Sequence, residues 1–273
     1  MARIRLCILL GVAVCFAAFA DSPSDDAPEF YFTRLIYRQN PILHGFFRPF
    51  TMANPGLYRC PEFGGRNFFP PQGWGWATDS PGADCKLMGA IHRLTGQHVY
   101  PNPNYIQIMD PQLFTFPYAY IVEPGQMVFT QQEAARLREY LLRGGFLHLD
   151  DFWGLDQKDN AETELKKVFP EYSIQPLPLT HPIFHSFFDI DEIIQTPNEG
   201  QGCFGGRTWE QPDDIKPRIY GITDDTGRLM VVVTYNTDLG DAWEFMDLDC
   251  YPEKYSGYAV RVALNFMIYA MSH

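Results

Sequence analysis

The stretch GGFLHLDDFWG, Gly144 to Gly154, decides the fold class of this chain. Its centre, FLHL, places large side chains on both faces of an extended strand, because successive side chains in a strand point to opposite sides. Large side chains on both faces are typical of a central strand in a parallel sheet. Two adjacent carboxylates, Asp150 and Asp151, and a tryptophan, Trp153, follow these four residues in the sequence.

A helix precedes this strand in TQQEAARLREYLLRGG, residues 130–145. Thr130 and Glu133 have the spacing of a capping box, and Gly144 supplies a left-handed stop. Strands are predicted in EFYFTRLIYR, QHVY and FPYAYIV, and a helix in SPGADCKLMGAIHRLTG with Ser80 as its N-cap. PRIYGIT and RLMVVVTYN predict a hairpin around DDTG, and YAVRVALNFMIYAM an apolar final helix. Alternating strands and helices predict an α/β fold with helices on both sides of the sheet.

Residues 40–81 differ from the rest, since they are rich in glycine, proline and aromatic residues. Flexible linkers do not carry so many large apolar side chains, so we expect an ordered insertion. The sequence contains no internal repeat and no linker. We therefore expect one α/β domain over residues 21–273, with this segment inserted in it.

The first twenty residues, MARIRLCILLGVAVCFAAFA, have the order of parts found in a secretory signal peptide. Arg3 and Arg5 give the positive start, an apolar run follows, and Ala18-Phe19-Ala20 forms a cleavage site. A retained membrane anchor is the alternative, but the apolar run is shorter than the roughly 20 residues of a spanning helix. We expect cleavage after residue 20, export to the periplasm or the extracellular space, and no stable membrane span afterwards.

The net charge of the full chain is −12, and loss of the two arginines makes it more negative. Such a surface repels phosphate backbones, so nucleic acid is not an expected partner. Four cysteines follow the signal segment: Cys60, Cys85, Cys203 and Cys250. Cys60 with Cys85 is the first choice for a disulfide, and free buried cysteines are the alternative.

Asp150 and Asp151 are the best-placed polar pair, because ligands of open parallel sheets bind outside the carboxyl ends of the strands. They could bind a ligand or a metal ion, act as acid and base, or accept hydrogen bonds from backbone amides of the following turn. Strand alternation sends their side chains to opposite faces. We therefore expect one to bind amides of the turn at 152–154, and the other to face a crevice beside Trp153.

The other candidate ligand-binding residues are Trp153, His181, Arg228 and Glu244. His181 and Arg228 are possible neighbours of the crevice, and Glu244 lies in the strongly acidic stretch before the last helix. His181 and His185 have the spacing of metal ligands on a helix, but Pro182 disfavours a helix there. The sequence has no G-x-S-x-G motif and no equivalent cysteine, so a nucleophile of that kind is not expected. It identifies neither a cofactor nor a specific metal.

Several of these segments occur together in one order: FYFTRLIY, WATDSPGADCKLMGAIHRLTG, FPYAYIV, LREYLLRGGFLHLDDFWG, LTHPIF and GDAWEF. As a set they resemble a bacterial family, domain of unknown function 4159, from about Phe30 to the C-terminus. That family is similar in fold to the class I glutamine amidotransferase-like domains. The resemblance implies a flavodoxin-like three-layer sandwich with a mainly parallel sheet. It implies no established reaction. Glutaminase activity is not expected, because Asp150 and Asp151 occupy the strand end at which amidotransferases carry their cysteine.

Two functions remain open. The first is an exported, non-catalytic binding module with an acidic, aromatic-rimmed crevice for a polar small molecule, a glycan or a partner protein. The second is a carboxylate- or metal-dependent hydrolase that uses the strand end at Asp150 and Asp151. The lack of a nucleophile favours the first.

Overall fold

The structure is a computed structural model that describes residues 30–40, 60–64 and 75–273. The predicted signal peptide, residues 1–20, lies outside the described residues. So does most of the predicted insertion, residues 41–59 and 65–74.

A seven-stranded, mostly parallel sheet forms the centre of the fold. In chain order its strands are β1 (Thr33–Ile36), β3 (Asn104–Gln107), β4 (Tyr118–Val122), β6 (Phe146–Asp150), β7 (Gln175–Pro176), β8 (Arg218–Thr223) and β9 (Leu229–Tyr235). In space they follow the order β3-β1-β4-β6-β9-β8-β7. In that spatial order the first five strands are parallel to one another. At the far edge β8 pairs antiparallel with β9, and β7 pairs antiparallel with β8. A separate antiparallel pair is formed by β2 (Arg38–Gln39) and β5 (Met127–Val128).

Strand β6 occupies the centre of the sheet, as its double-sided burial predicted. It pairs in parallel with β4 on one side and β9 on the other, and all five of its residues are buried. The hairpin predicted around DDTG is also confirmed, because β8 and β9 pair on either side of that turn.

Helices cover both faces of the sheet. They are α1 (Gly82–Thr95), α2 (Gln131–Leu142), α3 (Gly154–Val168), α4 (Glu199–Phe204), α5 (Leu239–Glu244) and α6 (Glu253–Ser272). Apolar residues of α1, α5 and α6 share one core with the side chains of Tyr118 and Phe146. Apolar residues of α2 and α3 share the other with Leu147 and Leu149. The predicted mixed α/β class is therefore confirmed.

The ends of two helices test the predicted capping residues. The capping box at α2 is present, with Thr130 Oγ1 accepting from the Glu133 amide and the Glu133 carboxylate accepting from the Thr130 amide. At α1 the prediction was wrong, because the helix begins at Gly82 and Ser80 does not cap it. Ser80 Oγ instead donates a hydrogen bond of 2.6 Å to Asp84 Oδ2.

Two disulfides link the described residues. Cys60 is bonded to Cys85, as predicted, and attaches the insertion to α1. Cys203 is bonded to Cys250 and ties α4 to the segment before α6. Within residues 30–40, 60–64 and 75–273, no helix has both the length and the apolar character needed to cross a membrane.

Candidate functional site

A cavity of about 310 Å³ opens at the carboxyl edge of the parallel strands. Glu123 directly follows β4, Asp151 directly follows β6, and Asp238 lies three residues after β9. Because parallel strands place their carboxyl ends at one edge, these loops meet there. The complete lining, called the carboxylate pocket below, is Gln39, Thr78, Asp79, Glu123, Gln126, Asp151, Trp153, Gln157, Asn198, Glu210, Asp238 and Asp241.

The lining is strongly anionic: half of its residues are aspartate or glutamate, and none of these described lining residues is lysine, arginine or histidine. Burial raises the pKa of each of these acids above its ordinary value, because a charged carboxylate loses solvation. The carboxylates also repel one another; Glu123 raises the pKa of Asp151, for example. The pKa of Glu123 itself is raised to about 7. The pocket thus concentrates negative charge that is costly to keep ionised without a cation.

Three of these carboxylates have oxygen atoms that converge on one point. One oxygen from each of Asp79, Asp151 and Asp238 lies within 4.8 Å of the others, and all three side chains are buried. Asp79 also belongs to a second such group with Asp241 and Glu244. Oxygen atoms in this arrangement could coordinate a metal ion or surround an ammonium group.

Asp79 differs from the other two in its hydrogen bonding. Asp151 Oδ1 accepts from the Trp153 indole at 2.9 Å, and Asp238 Oδ1 accepts from the Asp241 amide at 2.7 Å. Asp79 Oδ2 is buried and accepts no hydrogen bond from a backbone, hydroxyl or amide donor of the described residues. Burial raises the pKa of Asp241 and a hydrogen bond with the Asp79 side chain lowers it, so the two acids interact directly. Gly240 approaches Asp79 Oδ2 so closely that a Cβ there would lie 2.1 Å from it. A buried carboxylate oxygen without a donor is energetically unfavourable unless a ligand pairs with it.

Arg34 fixes the loop that carries Asp79. Its guanidinium is fully buried and donates to the carbonyl oxygens of Trp76 at 3.2 Å and Thr78 at 2.7 Å. Its charge pairs with Asp84, whose Oδ1 is 3.1 Å from Nε. Arg34 therefore positions the loop, and its main ion pair is with Asp84 and not with the pocket.

The backbone around the pocket is strained. Asp79, Glu123 and Asp151 all have positive φ, of 62°, 51° and 58°. Residues other than glycine rarely adopt this left-handed region, although aspartate and asparagine tolerate it best. Such conformations persist where the surrounding structure enforces them, and they cluster at functional sites.

Asp150 has a different environment from its neighbour, although the two are adjacent in sequence. Its Oδ1 accepts from Thr234 Oγ1 at 2.6 Å, and its Oδ2 accepts from Tyr120 Oη and the Leu239 amide, each at 3.0 Å. The two side chains do lie in different environments, and Asp151 faces the pocket, but the predicted contact of the other aspartate with the turn is wrong. Asp150 binds the first amide of α5 and not the turn at 152–154.

The amides of that turn are satisfied by other residues. The Gly154 amide donates to Asn236 Oδ1 at 3.1 Å, and the Trp153 amide donates to Gln157 Oε1 at 2.8 Å. The Leu155 amide donates to Asp213 Oδ2 at 3.0 Å. The amino end of α3 is thus already occupied by side-chain oxygens, which disfavours a phosphate there.

The structure brings together only some of the residues predicted from sequence. Asp151 and Trp153 line the pocket, and Glu244 lies beside it through its approach to Asp79. Trp153 is only 2% exposed, so it forms part of the wall and not an exposed rim.

His181 and Arg228 lie elsewhere, so the expectation that they neighbour the crevice was wrong. Arg228 precedes β9 and donates to the carbonyl oxygens of Gly145 and Leu141, at the amino end of β6. His181 Nδ1 accepts from the Ile183 amide, and its ring packs against Tyr269, which in turn packs on Phe146 at the same end. Both residues are at the edge of the sheet opposite to the pocket.

Sequence reasoning missed five acidic lining residues: Asp79, Glu123, Glu210, Asp238 and Asp241. A signal was present for three of them. Glu123 directly follows the predicted strand FPYAYIV, and Asp238 and Asp241 lie in the acidic stretch after the strand RLMVVVTYN. Asp79 and Glu210 do not follow a strand, and no pattern in the sequence distinguishes them.

In a comparison with family models, the model described as domain of unknown function (DUF4159) matches residues 71–271. The matched range contains every residue of the pocket except Gln39. Comparison with curated proteins gives no match.

Proposed function

This chain belongs to the DUF4159 family, and from that starting point we propose that it is an exported, non-catalytic binding module. Its ligand is a small, polar molecule or ion with positive charge, bound in the carboxylate pocket. The single observation that carries the proposal is the unbalanced charge of the pocket, six carboxylates with no basic residue among the described lining residues.

The remaining lining residues favour a polar ligand over an apolar one. Gln39, Gln126, Gln157 and Asn198 contribute amides, which can both donate and accept hydrogen bonds. The volume of about 310 Å³ is at the small end of the range for ligand sites, which suits a ligand about as large as a single sugar unit. An amine-bearing sugar, as part of a glycan, has both the charge and the hydroxyl groups that this lining would recognise.

The finer fold assignment belongs to the same proposal. Numbered along the chain, the five parallel strands follow the spatial order 2-1-3-4-5. This is the order of flavodoxin-like sheets, in which ligands bind where the strand order reverses. Here the reversal lies between β1 and β4. Gln39, in the short strand β2 that follows β1, and Glu123, directly after β4, both line the pocket. The order supports a flavodoxin-like, amidotransferase-like sandwich.

Export is supported by the two disulfides, since such bonds persist mainly in oxidising compartments. A hydrolase is the second candidate. One observation favours it: Asp79 belongs to both groups of converging carboxylates, as a residue shared by two metal ions would.

The proposal is tested by calorimetry with matched charged and neutral probes. Glucosamine, putrescine and lysine carry ammonium groups, whereas N-acetylglucosamine and butanediol do not. We expect saturable binding of at least one ammonium probe, at least tenfold weaker binding in Asp151→Asn, and unchanged binding in Asp225→Asn. Asp225 is exposed in the β8–β9 turn at the opposite edge of the sheet. Equal binding of charged and neutral probes would contradict the proposal, and product release from a glycan would favour the hydrolase.

A further inference from the structure

We propose that Asp79, Asp151 and Asp238 bind one divalent cation of the oxygen-preferring class, Ca²⁺, Mg²⁺ or Mn²⁺. The inference rests on the proposed function, because it names the positive charge that the same pocket binds. The bound ion would then present open coordination positions to the hydroxyl groups of a further ligand in the cavity.

The positions of the three carboxylate oxygens fit a metal ion. Because each pair of these atoms is no more than 4.8 Å apart, one point lies within about 2.8 Å of all three. Oxygen ligands lie at about 2.3–2.6 Å from Ca²⁺ and about 2.0–2.1 Å from Mg²⁺. Small side-chain movements toward a common centre would therefore complete the contacts.

The independent observation is the Oδ2 atom of Asp79. The residue is 6% exposed, and this oxygen accepts no hydrogen bond from a backbone, hydroxyl or amide donor of the described residues. Asp79 nevertheless contributes an oxygen to both groups of converging carboxylates. A buried carboxylate oxygen without a donor is unfavourable, and a cation beside Asp79 would pair with it.

The chemistry of the lining selects the class of ion. All candidate ligands are carboxylate, amide or hydroxyl oxygens, and the described lining contains no cysteine or histidine. Zinc and copper sites use sulfur or imidazole nitrogen, whereas Ca²⁺, Mg²⁺ and Mn²⁺ prefer oxygen. Three buried carboxylates are also balanced better by a double positive charge than by one ammonium group.

Two substitutions test the site without altering its shape. Asp79→Asn and Asp151→Asn keep the side-chain size, and asparagine tolerates the left-handed backbone of both positions. The full chain is stripped with chelator, dialysed, and titrated with CaCl₂, MgCl₂ and MnCl₂ by calorimetry. We expect one ion per chain, at least tenfold weaker binding in each variant, and unchanged binding in the control Asp225→Asn.

A measurement on the unsubstituted protein removes any dependence on how the variants fold. The Trp153 indole donates to Asp151 Oδ1 at 2.9 Å, so its N–H lies next to the proposed ion. Paramagnetic Mn²⁺ should broaden the Trp153 indole signal in NMR spectra at substoichiometric amounts, and excess Ca²⁺ should restore it. Trp153→Phe assigns the signal.

The outcomes separate this inference from the function on which it rests. If no divalent ion binds but an ammonium probe does, and Asp151→Asn weakens it, the metal site is overturned and the binding module remains. If neither kind of probe binds, both are overturned. Metal binding that survives in Asp79→Asn and Asp151→Asn, with no broadening at Trp153, would place the ion elsewhere and overturn this site.

Discussion

Asp150 and Asp151 are adjacent, but they belong to two regions with opposite properties. Asp150 belongs to what we call the core network, formed with Tyr118, Tyr120, His148 and Thr234. Asp151 belongs to the carboxylate pocket. Both carboxylates are buried, yet Asp150 accepts three hydrogen bonds, whereas Asp151 accepts one, from Trp153, and faces other acids. Burial alone therefore does not identify a candidate functional acid, whereas a shortage of hydrogen-bond donors around a buried carboxylate does.

The core network is a continuous chain of hydrogen bonds across the sheet. His148 Nδ1 is 2.8 Å from Tyr118 Oη, and Nε2 is 2.9 Å from Thr234 Oγ1, which donates to Asp150. Burial lowers the pKa of His148 to about 3, so the ring is neutral. With Thr234 donating to Asp150, we infer that Nε2–H donates to Thr234 and Nδ1 accepts from Tyr118. Every polar group in this chain of hydrogen bonds has a partner.

Disrupting the core network should lower the free energy of unfolding more than any other substitution proposed below. Asp150→Ala removes the acceptor of Tyr120, Thr234 and the Leu239 amide, and leaves these donors buried without partners. We expect the free energy of unfolding to fall by about 3–5 kcal/mol. Denaturant unfolding of the wild type and the variant at pH 7 measures this change in the free energy of unfolding. A loss below about 1 kcal/mol would contradict the structural role of Asp150.

The second prediction concerns the outer wall of the pocket. Asn198 and Glu210 flank α4, which the Cys203–Cys250 disulfide ties to the segment before α6. The bond closes a loop with a sequence separation of 47 residues. Removing the bond in Cys203→Ala/Cys250→Ala should lower the free energy of unfolding by up to about 4 kcal/mol, because the unfolded chain regains the entropy that the closed loop had restricted. The same double variant should also weaken binding of any pocket ligand, whereas Cys60→Ala/Cys85→Ala, the matched control, should affect binding less.

The secondary-structure elements that carry the core network could be predicted from sequence better than the pocket could, for a physical reason. Strand β6, the hairpin and the capping box depend on residues close together in the chain. Arg228 shows where local reasoning failed: it precedes a strand parallel to β6, so it lies at the amino edge and could not meet Asp151.

The pocket depends on contacts between distant segments. Asp79 reaches it because Arg34, in β1, holds the carbonyl oxygens of the loop at 76–78. Glu123 and Asp238 reach it because β4 and β9 flank β6. Strand order is set by tertiary packing, which no single segment encodes. The sequence therefore indicated the correct edge of the sheet but only part of the residues there.

The third prediction uses pH to compare the two regions. In the metal-free protein the pKa of Asp150 and Glu123 is raised to about 7, and burial also raises that of Asp79, Asp151 and Asp238. The folded state therefore keeps protons that the unfolded state releases near pH 4. Stability from Asp150 and Glu123 is complete below about pH 4 and is lost as pH rises through about 7; the other three groups act in the same direction.

His148 acts in the opposite direction between about pH 3 and 6.5, because its pKa is lowered, but it is one group against several. We expect a net fall of about 2–3 kcal/mol in the free energy of unfolding between pH 5 and pH 8, measured in chelator. Saturating Ca²⁺ should reduce the part that comes from the pocket. A stability that rises over this range in chelator would show that these acids are stabilised when ionised.

The smallest effect, and the sharpest comparison, comes from neutralising each aspartate without changing its shape. Asp151→Asn keeps an acceptor for the Trp153 indole and removes a buried charge that faces Glu123 and Glu210. We therefore expect it to stabilise the metal-free protein by about 1 kcal/mol at pH 8, since a buried, unpaired charge is costly. The gain should disappear near pH 4, where the wild-type carboxyl is protonated. Asp150→Asn should have the opposite sign, because the amide nitrogen cannot accept a hydrogen bond, whereas both carboxyl oxygens of Asp150 accept from Tyr120, Thr234 and the Leu239 amide. Thermal unfolding of both variants and the wild type at pH 4 and pH 8 measures the two changes in stability. If both lose stability equally at pH 8, Asp151 is as structural as Asp150, and the separation between core network and pocket does not hold.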